Sequence, residues 1–154
     1  MLPHWPKKLP NCCKGKKSAK GTTNAVAIDG INDVLERVVT CVHSQETTIA
    51  VFATQPFTSP GAIDVDRTKY VRVTHLDPSG LLEPIELAVV TTASNYQVTI
   101  PTGQSHIICL GSASVLAEAD TTPSFGTMQD LTALIVKPTS VEANSQVELF
   151  VGVA

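Results

Sequence analysis

Charge is scarce in this sequence. Asp, Glu, Lys and Arg make up 16% of its 154 residues, and apolar residues 43%. Ordinary soluble domains carry about a quarter charged residues. Two kinds of chain run this low: an all-β fold faced with Thr and Ser, and a subunit whose surface is committed to neighbours. Aromatic rings are also few, with one Trp, two Tyr and four Phe, which weakens any reading built on sugar stacking. Long apolar runs are absent. None approaches the roughly 18 residues of a membrane-spanning helix, so no membrane partner is expected. The basic N-terminus is followed by no apolar h-region, so no secretion signal is expected and reduced thiols are.

Cysteine pairing is missing as well. Cys12, Cys13, Cys41 and Cys109 form no disulfide framework, because adjacent cysteines bridge each other only under strain. Cys12, Cys13, Cys41 and His43 do not make a zinc set, since a knuckle needs the C-x2-C spacing to aim two sulfurs at one metal. Cys109 lies in an apolar run and is expected to be a buried small hydrophobe.

Catalytic signatures are absent too. No G-x-S-x-G elbow occurs, and His43, His75 and His106 are scattered through strand-like segments, where a sheet role is expected. Asp64 and Asp66 share one face of a short edge strand, which does not place two carboxyls across a cleft. The stretch Gly15-Lys16-Lys17-Ser18-Ala19-Lys20-Gly21-Thr22 lacks the residue order of a phosphate loop. No enzyme activity, metal or cofactor is expected.

What is present falls into two parts. Residues 1–24 form a basic arm and residues 25–154 a β domain. The first 20 residues hold Lys7, Lys8, Lys14, Lys16, Lys17 and Lys20 and no acid, a charge of +6. The remainder sets five cations against 14 acids, a net −9. Pro3, Pro6 and Pro10 forbid a helix there and favour an extended chain. Leu2, Trp5 and Leu9 are apolar knobs along it, suited to docking in a groove of its own body or of a neighbour. The alternative is a solvated tail. Any nucleic-acid contact by the arm would be phosphate-led and salt-sensitive, and no base-reading module accompanies it.

The β domain announces itself in residues 70–110. Tyr70-Val71-Arg72-Val73-Thr74-His75-Leu76 alternates side-chain classes, and Asp77-Pro78-Ser79-Gly80 turns. Glu83-Pro84 delays the next strand to Ile85, since proline cannot donate to a ladder. Tyr96 to Ile100 alternates again, Pro101-Thr102-Gly103-Gln104 forms a tight turn, and Ser105 to Leu110 follows. Thus Asp77, Pro78, Gly80, Pro101 and Gly103 are the structural turn residues.

Outside that stretch, further strands are expected at residues 47–53, 63–65, 131–137 and 146–153. Residues 28–43 are ambiguous. Ile31, Val34, Leu35 and Val38 sit at helical spacing with Asp29 as a cap, yet the β-branched run around Val38 favours a strand over 35–43. Residues 111–126 form a long loop, with Leu116 to Ala119 a short strand or a turn of helix. Pro138 should end the strand before it. About eight strands with turns at short intervals predict an all-β fold: an antiparallel β-sandwich, jelly-roll-like, with an extended N-terminal arm.

The segment Tyr70-Val71-Arg72-Val73-Thr74-His75-Leu76-Asp77, paired with Tyr96-Gln97-Val98-Thr99-Ile100-Pro101-Thr102-Gly103-Gln104-Ser105, resembles small β-sandwich virion proteins of tailed bacteriophages. Those carry a Y-V-R-V-x-N/H-L-D strand and turn, then an L/I-P-x-G-E/Q-S turn and strand. The likeness spans residues 35–153. It implies a virion structural protein: a capsid cement or decoration protein, with a tail, head-fibre or connector subunit as alternatives. It also implies partners among the major capsid or tail proteins, homo-oligomers that include trimers, and assembly in a bacterial cytoplasm. A glycan- or receptor-binding sandwich is the rival reading.

Overall fold

The structure is a computed structural model that describes residues 28–76, 83–119 and 121–154. Among the described residues there are nine strands and one short 3-10 turn, Pro56–Thr58. The strands are β1 (Asp33–Cys41), β2 (Thr47–Ala53), β3 (Ile63–Asp64), β4 (Thr68–Leu76), β5 (Ile85–Thr91), β6 (Asn95–Ile100), β7 (Ser105–Ile108), β8 (Leu131–Pro138) and β9 (Ser145–Val153). The ambiguous segment therefore contains a strand, which begins two residues before the expected Leu35 and ends at Cys41 rather than His43. Its β-branched residues fit a pleated surface better than a helical turn.

Two sheets form, with strand orders β1-β9-β4-β7 and β3-β2-β8-β5-β6. All pairs are antiparallel except the two-residue parallel contact of β3 with β2. The pairings nest: β1 with β9, β2 with β8, β4 with β7, β5 with β6. Folding those nested pairs over, so that β4 also meets β9 and β5 also meets β8, is the jelly roll. Strands β4 to β7 are thus not a meander. The chain leaves the first sheet after β4, makes the β5–β6 hairpin in the second, and returns at β7 to pair with β4.

Period-2 alternation builds the core. Val71 and Val73 of β4, Leu87 and Val89 of β5, Leu134 and Val136 of β8, and Val147, Leu149 and Val151 of β9 are all fully buried between the sheets. His75 is buried on the same inner side of β4. The isolated alternate positions of these strands face outward. Gly111 lets the long loop after β7 cross close to the β3–β4 turn, because a Cβ there would lie 2.6 Å from the Val65 carbonyl oxygen. The Gly111 N–H donates to the Thr68 carbonyl at 3.1 Å, and the Gly111 carbonyl accepts from Leu131 N–H at 2.8 Å.

Several local expectations are revised. Cys109 is exposed, because β7 ends at Ile108 and the chain has already left the sheet. Residues 116–119 form neither strand nor helix; the order in this loop comes from an isolated bridge between Val115 and Gln129. Pro138 is the last residue of β8 rather than the residue after it. Asp66 is in the turn after β3, where its N–H and that of Arg67 donate to Asp64 Oδ1 at 3.1 and 3.3 Å. That carboxylate holds a turn, and the shared strand face expected for the two acids does not exist.

The core assignment has a direct consequence. Leu149→Ala, which empties a fully buried site on a central strand, should lower stability by about 2–5 kcal/mol. Val141→Ala, at a side chain 73% exposed in the β8–β9 loop, should change it by no more than about 0.5 kcal/mol. Urea unfolding monitored by circular dichroism reads both.

Candidate interaction surface

The outer face of the β1-β9-β4-β7 sheet is built by the residues that alternate with the core. Register sets them in rows across the strands. Val34, Gly152 and Tyr70 lie side by side; then Glu36, Phe150, Arg72 and Ile107; then Val38, Glu148, Thr74 and Ser105. A solvated sheet face ordinarily alternates to polar residues. Here Val34, Val38 and Ile107 are 47%, 57% and 51% exposed. Around them Tyr70 and Phe150 meet edge to face with ring centroids 6.0 Å apart. The Arg72 guanidinium sits 5.3 Å from the Phe150 ring centroid and donates to Glu148 Oε2 at 2.8 Å. Tyr, Phe and Arg with flanking aliphatics is the composition that protein interfaces concentrate.

The chain reaches this face from outside β1. Ile31 lies over β9, and a Cβ on Gly152 would come within 2.6 Å of Ile31 Cδ1. Glycine at 152 leaves room for that side chain on the outer surface.

The two open sides of the sandwich are each closed by a polar contact. On one side, Arg37 of β1 points inward and its Nη2 donates to the Ile49 carbonyl of β2, next to the bulge between Thr48 and Ala50. On the other, Tyr96 of β6 and His106 of β7 join at 2.9 Å between the hydroxyl and Nε2. Burial raises the Tyr96 hydroxyl above its ordinary pKa and lowers the His106 imidazole below its own. Both are therefore held neutral near pH 7, and the hydrogen bond between them joins two uncharged groups. Burial also raises the Cys41 thiol, partly offset by a hydrogen bond with Thr47, so it is a poor nucleophile.

The second sheet offers a different surface. A shallow groove of about 350 Å3 runs over its outer face, lined by Glu46, Glu86, Asn95, Gln97 and Lys137 around an aliphatic floor. No aromatic ring among the described residues lines it. At the end of the sandwich where β5 turns into β6, Gln129 Oε1 accepts from Ser94 Oγ at 2.9 Å and Ala93 N–H at 3.2 Å. These bonds tie the long loop to that turn. Phe125, at the loop's tip, is 83% exposed with φ +50°.

The expected site residues divide as follows. Leu2, Trp5, Lys7, Lys8, Leu9, Lys14, Lys16, Lys17 and Lys20 lie outside the described residues, as do Asp77, Pro78 and Gly80. Pro101 and Gly103 do form a turn: Gln104 N–H donates to the Pro101 carbonyl at 3.0 Å, and Gly103 takes φ +71°. His75 and His106 are in strands, whereas His43 lies in the β1–β2 turn. Among the described residues no three His, Cys, Asp or Glu side chains group as metal ligands do. The outer face of Tyr70, Arg72 and Phe150 was missed at the sequence level. Its signal was available in Tyr70-x-Arg72 and Glu148-x-Phe150, two alternations whose outward positions are not simply polar.

No family model matches this chain, and no curated protein matches it. Among solved structures, AlgX of Pseudomonas aeruginosa is similar at 14% identity and a TM-score of 0.44, over 77% of this chain and 26% of that one. The chain thus spans about a quarter of that structure's length.

The Tyr96–His106 contact predicts a pH dependence with a definite sign. The folded state depresses the His106 pKa below the unfolded value, so the unfolded chain binds the proton more readily. Stability from this site is complete above the ordinary histidine pKa of about 6.5 and is lost progressively as pH falls below it. Thermal midpoints should fall between pH 7.5 and pH 5.5 on the scale of roughly a histidine titration, and His106→Gln should flatten that fall.

Proposed function

We propose that this chain is a non-enzymatic structural protein of a bacteriophage particle, a cement or decoration subunit that stabilises a capsid through subunit contacts. The observation that carries this reading is the outer face of the β1-β9-β4-β7 sheet. Val34, Val38 and Ile107 are exposed there beside the Tyr70, Arg72 and Phe150 cluster. A jelly roll presents such a face on a rigid scaffold, and jelly rolls recur in viral capsid proteins. The low content of charge, 16%, agrees with a surface partly covered by neighbours. So does the sequence likeness to small phage sandwich proteins around residues 70–105.

The groove on the second sheet favours one other reading. Its carboxylates, amides and lysine could engage the hydroxyls of a glycan, as in a receptor-binding sandwich. The lack of an aromatic lining ranks it second, because stacking on rings supplies much of the apolar contact a sugar can make.

Mass spectrometry of purified phage particles should find the chain at a fixed ratio to the major capsid protein. Its absence from particles would sink the structural role. The double variant Val38→Asp, Ile107→Asp should remain folded, since both side chains are half exposed. It should bind particles or its own copies at least about tenfold more weakly, the effect of roughly 1.4 kcal/mol. Light scattering and particle co-sedimentation measure that loss. Signal on a glycan array, abolished by Gln97→Ala, would instead favour the second reading.

A further inference from the structure

We propose that residues 1–27 of this chain dock on the outer face of its own β1-β9-β4-β7 sheet, with Leu2, Trp5 and Leu9 as apolar anchors. The assignment rests on the reading of that face as a contact surface and names its occupant in the unassembled protein.

Three observations converge on it. The first is where the chain enters. Residue 28 is the first described position, and three residues later Ile31 already lies on Gly152 of β9, on the outer face itself. The described chain therefore enters the fold over the Gly152 row, which Val34 and Tyr70 share.

The second is chemical fit. The face exposes aliphatic side chains around an aromatic pair, and among the described residues its free anion is Glu36, because Glu148 is already engaged by Arg72. The segment supplies Leu2, Trp5 and Leu9 between prolines, with Lys7 and Lys8 among them. Its prolines restrict the undocked chain, so it loses less conformational freedom on docking than a proline-free segment would. Across the molecule, a segment of charge +6 faces a body of net −9.

The third is reach. Residues 10–27 lie between the last anchor, Leu9, and the point of entry, a tether of 18 residues. Taken as a coil, it spans roughly 23 Å root-mean-square. A nine-residue strand such as β9 is about 30 Å long. A tether whose mean span is comparable to the target gives a near-maximal effective concentration, in the millimolar range for short flexible links. That favours the chain's own face over a neighbour's in dilute solution. On assembly, the partner subunit replaces the segment on the face.

Trp5 is the sole tryptophan of the chain, so its emission reports the docking without any label. In the full-length protein at low micromolar concentration, emission should be blue-shifted and less quenched by acrylamide than in a synthetic peptide of residues 1–27. Val34→Asp with Ile107→Asp should return both readings to the peptide values while the far-ultraviolet circular dichroism is unchanged. Leu9→Ser, which leaves the folded domain untouched, should shift them part of the way. Emission equal to that of the peptide in the unaltered protein overturns the proposal. A blue shift that appears only at concentrations where light scattering shows self-association also overturns it, in favour of a second copy's segment. Free Trp5 in a chain that is nonetheless found in particles would remove the docking and leave the structural role standing.

Discussion

Everything in this molecule depends on the pairing of β9 with β1 on one side and β4 on the other. Val147, Leu149 and Val151 are fully buried, and each lies opposite an inward-facing residue on both neighbours: Val39, Arg37 and Leu35 of β1, and His75, Val73 and Val71 of β4. Strand side chains alternate with a period of two, so this inward set fixes the outward one. A slip of one residue would carry Phe150 inward and Leu149 out. Burying three aliphatic side chains at about 1.5–3 kcal/mol each is therefore also what holds Phe150 between Tyr70 and Arg72. The core and the outer face are two consequences of a single register.

The sides of the sandwich are weaker than its middle, and polar contacts close them. β1 is an edge strand of nine residues, a template for unwanted pairing if left bare. Its inward Arg37 reaches the Ile49 carbonyl, which satisfies that acceptor at a bulge and keeps a charge on the edge. At the opposite side the Tyr96–His106 contact links the edge strands β6 and β7. Each link joins one sheet to the other where few apolar side chains are available. The ends of the sandwich are held in the same way, with Thr139 donating through its hydroxyl to the Pro84 carbonyl at 2.6 Å and Gln129 anchoring the β5–β6 turn.

Much of this fold was legible in the residues. The strand at Thr47–Ala53, the start of β5 at Ile85 and the turn at Pro101–Gln104 follow from a β-branched and apolar run, from a proline that blocks pairing and from a glycine at positive φ. The hidden part is long-range. Alternation in Tyr70–Leu76 shows that two faces exist but not which strands lie beside them, so the crossing of β5 and β6 into the second sheet could not be read. Cys109 illustrates the same limit. Its apolar neighbours Ile107, Ile108 and Leu110 suggested burial, yet β7 ends one residue earlier and only Ile108 of those three points into the core. Hydrophobicity of a short run does not reveal where pairing stops, because that is decided by the partner strand.

The outer face was hidden for a related reason: its charges are paired across strands. Arg72 and Glu148 look like ordinary solubilising residues in the sequence. In space they neutralise each other at 2.8 Å, and the guanidinium also lies over Phe150. An isolated charge on an apolar patch resists being covered, because its hydration must be given up. Paired across adjacent strands and stacked on a ring, the same charge has already lost part of its hydration in the free chain. Its side chain is 36% exposed and that of Glu148 20%. The further cost of covering them falls accordingly, while Val34, Val38 and Ile107 still gain fully from leaving water. Scarcity of charge over the whole chain and pairing of charge on this face thus act in the same direction: both lower the barrier to placing another polypeptide against the sheet.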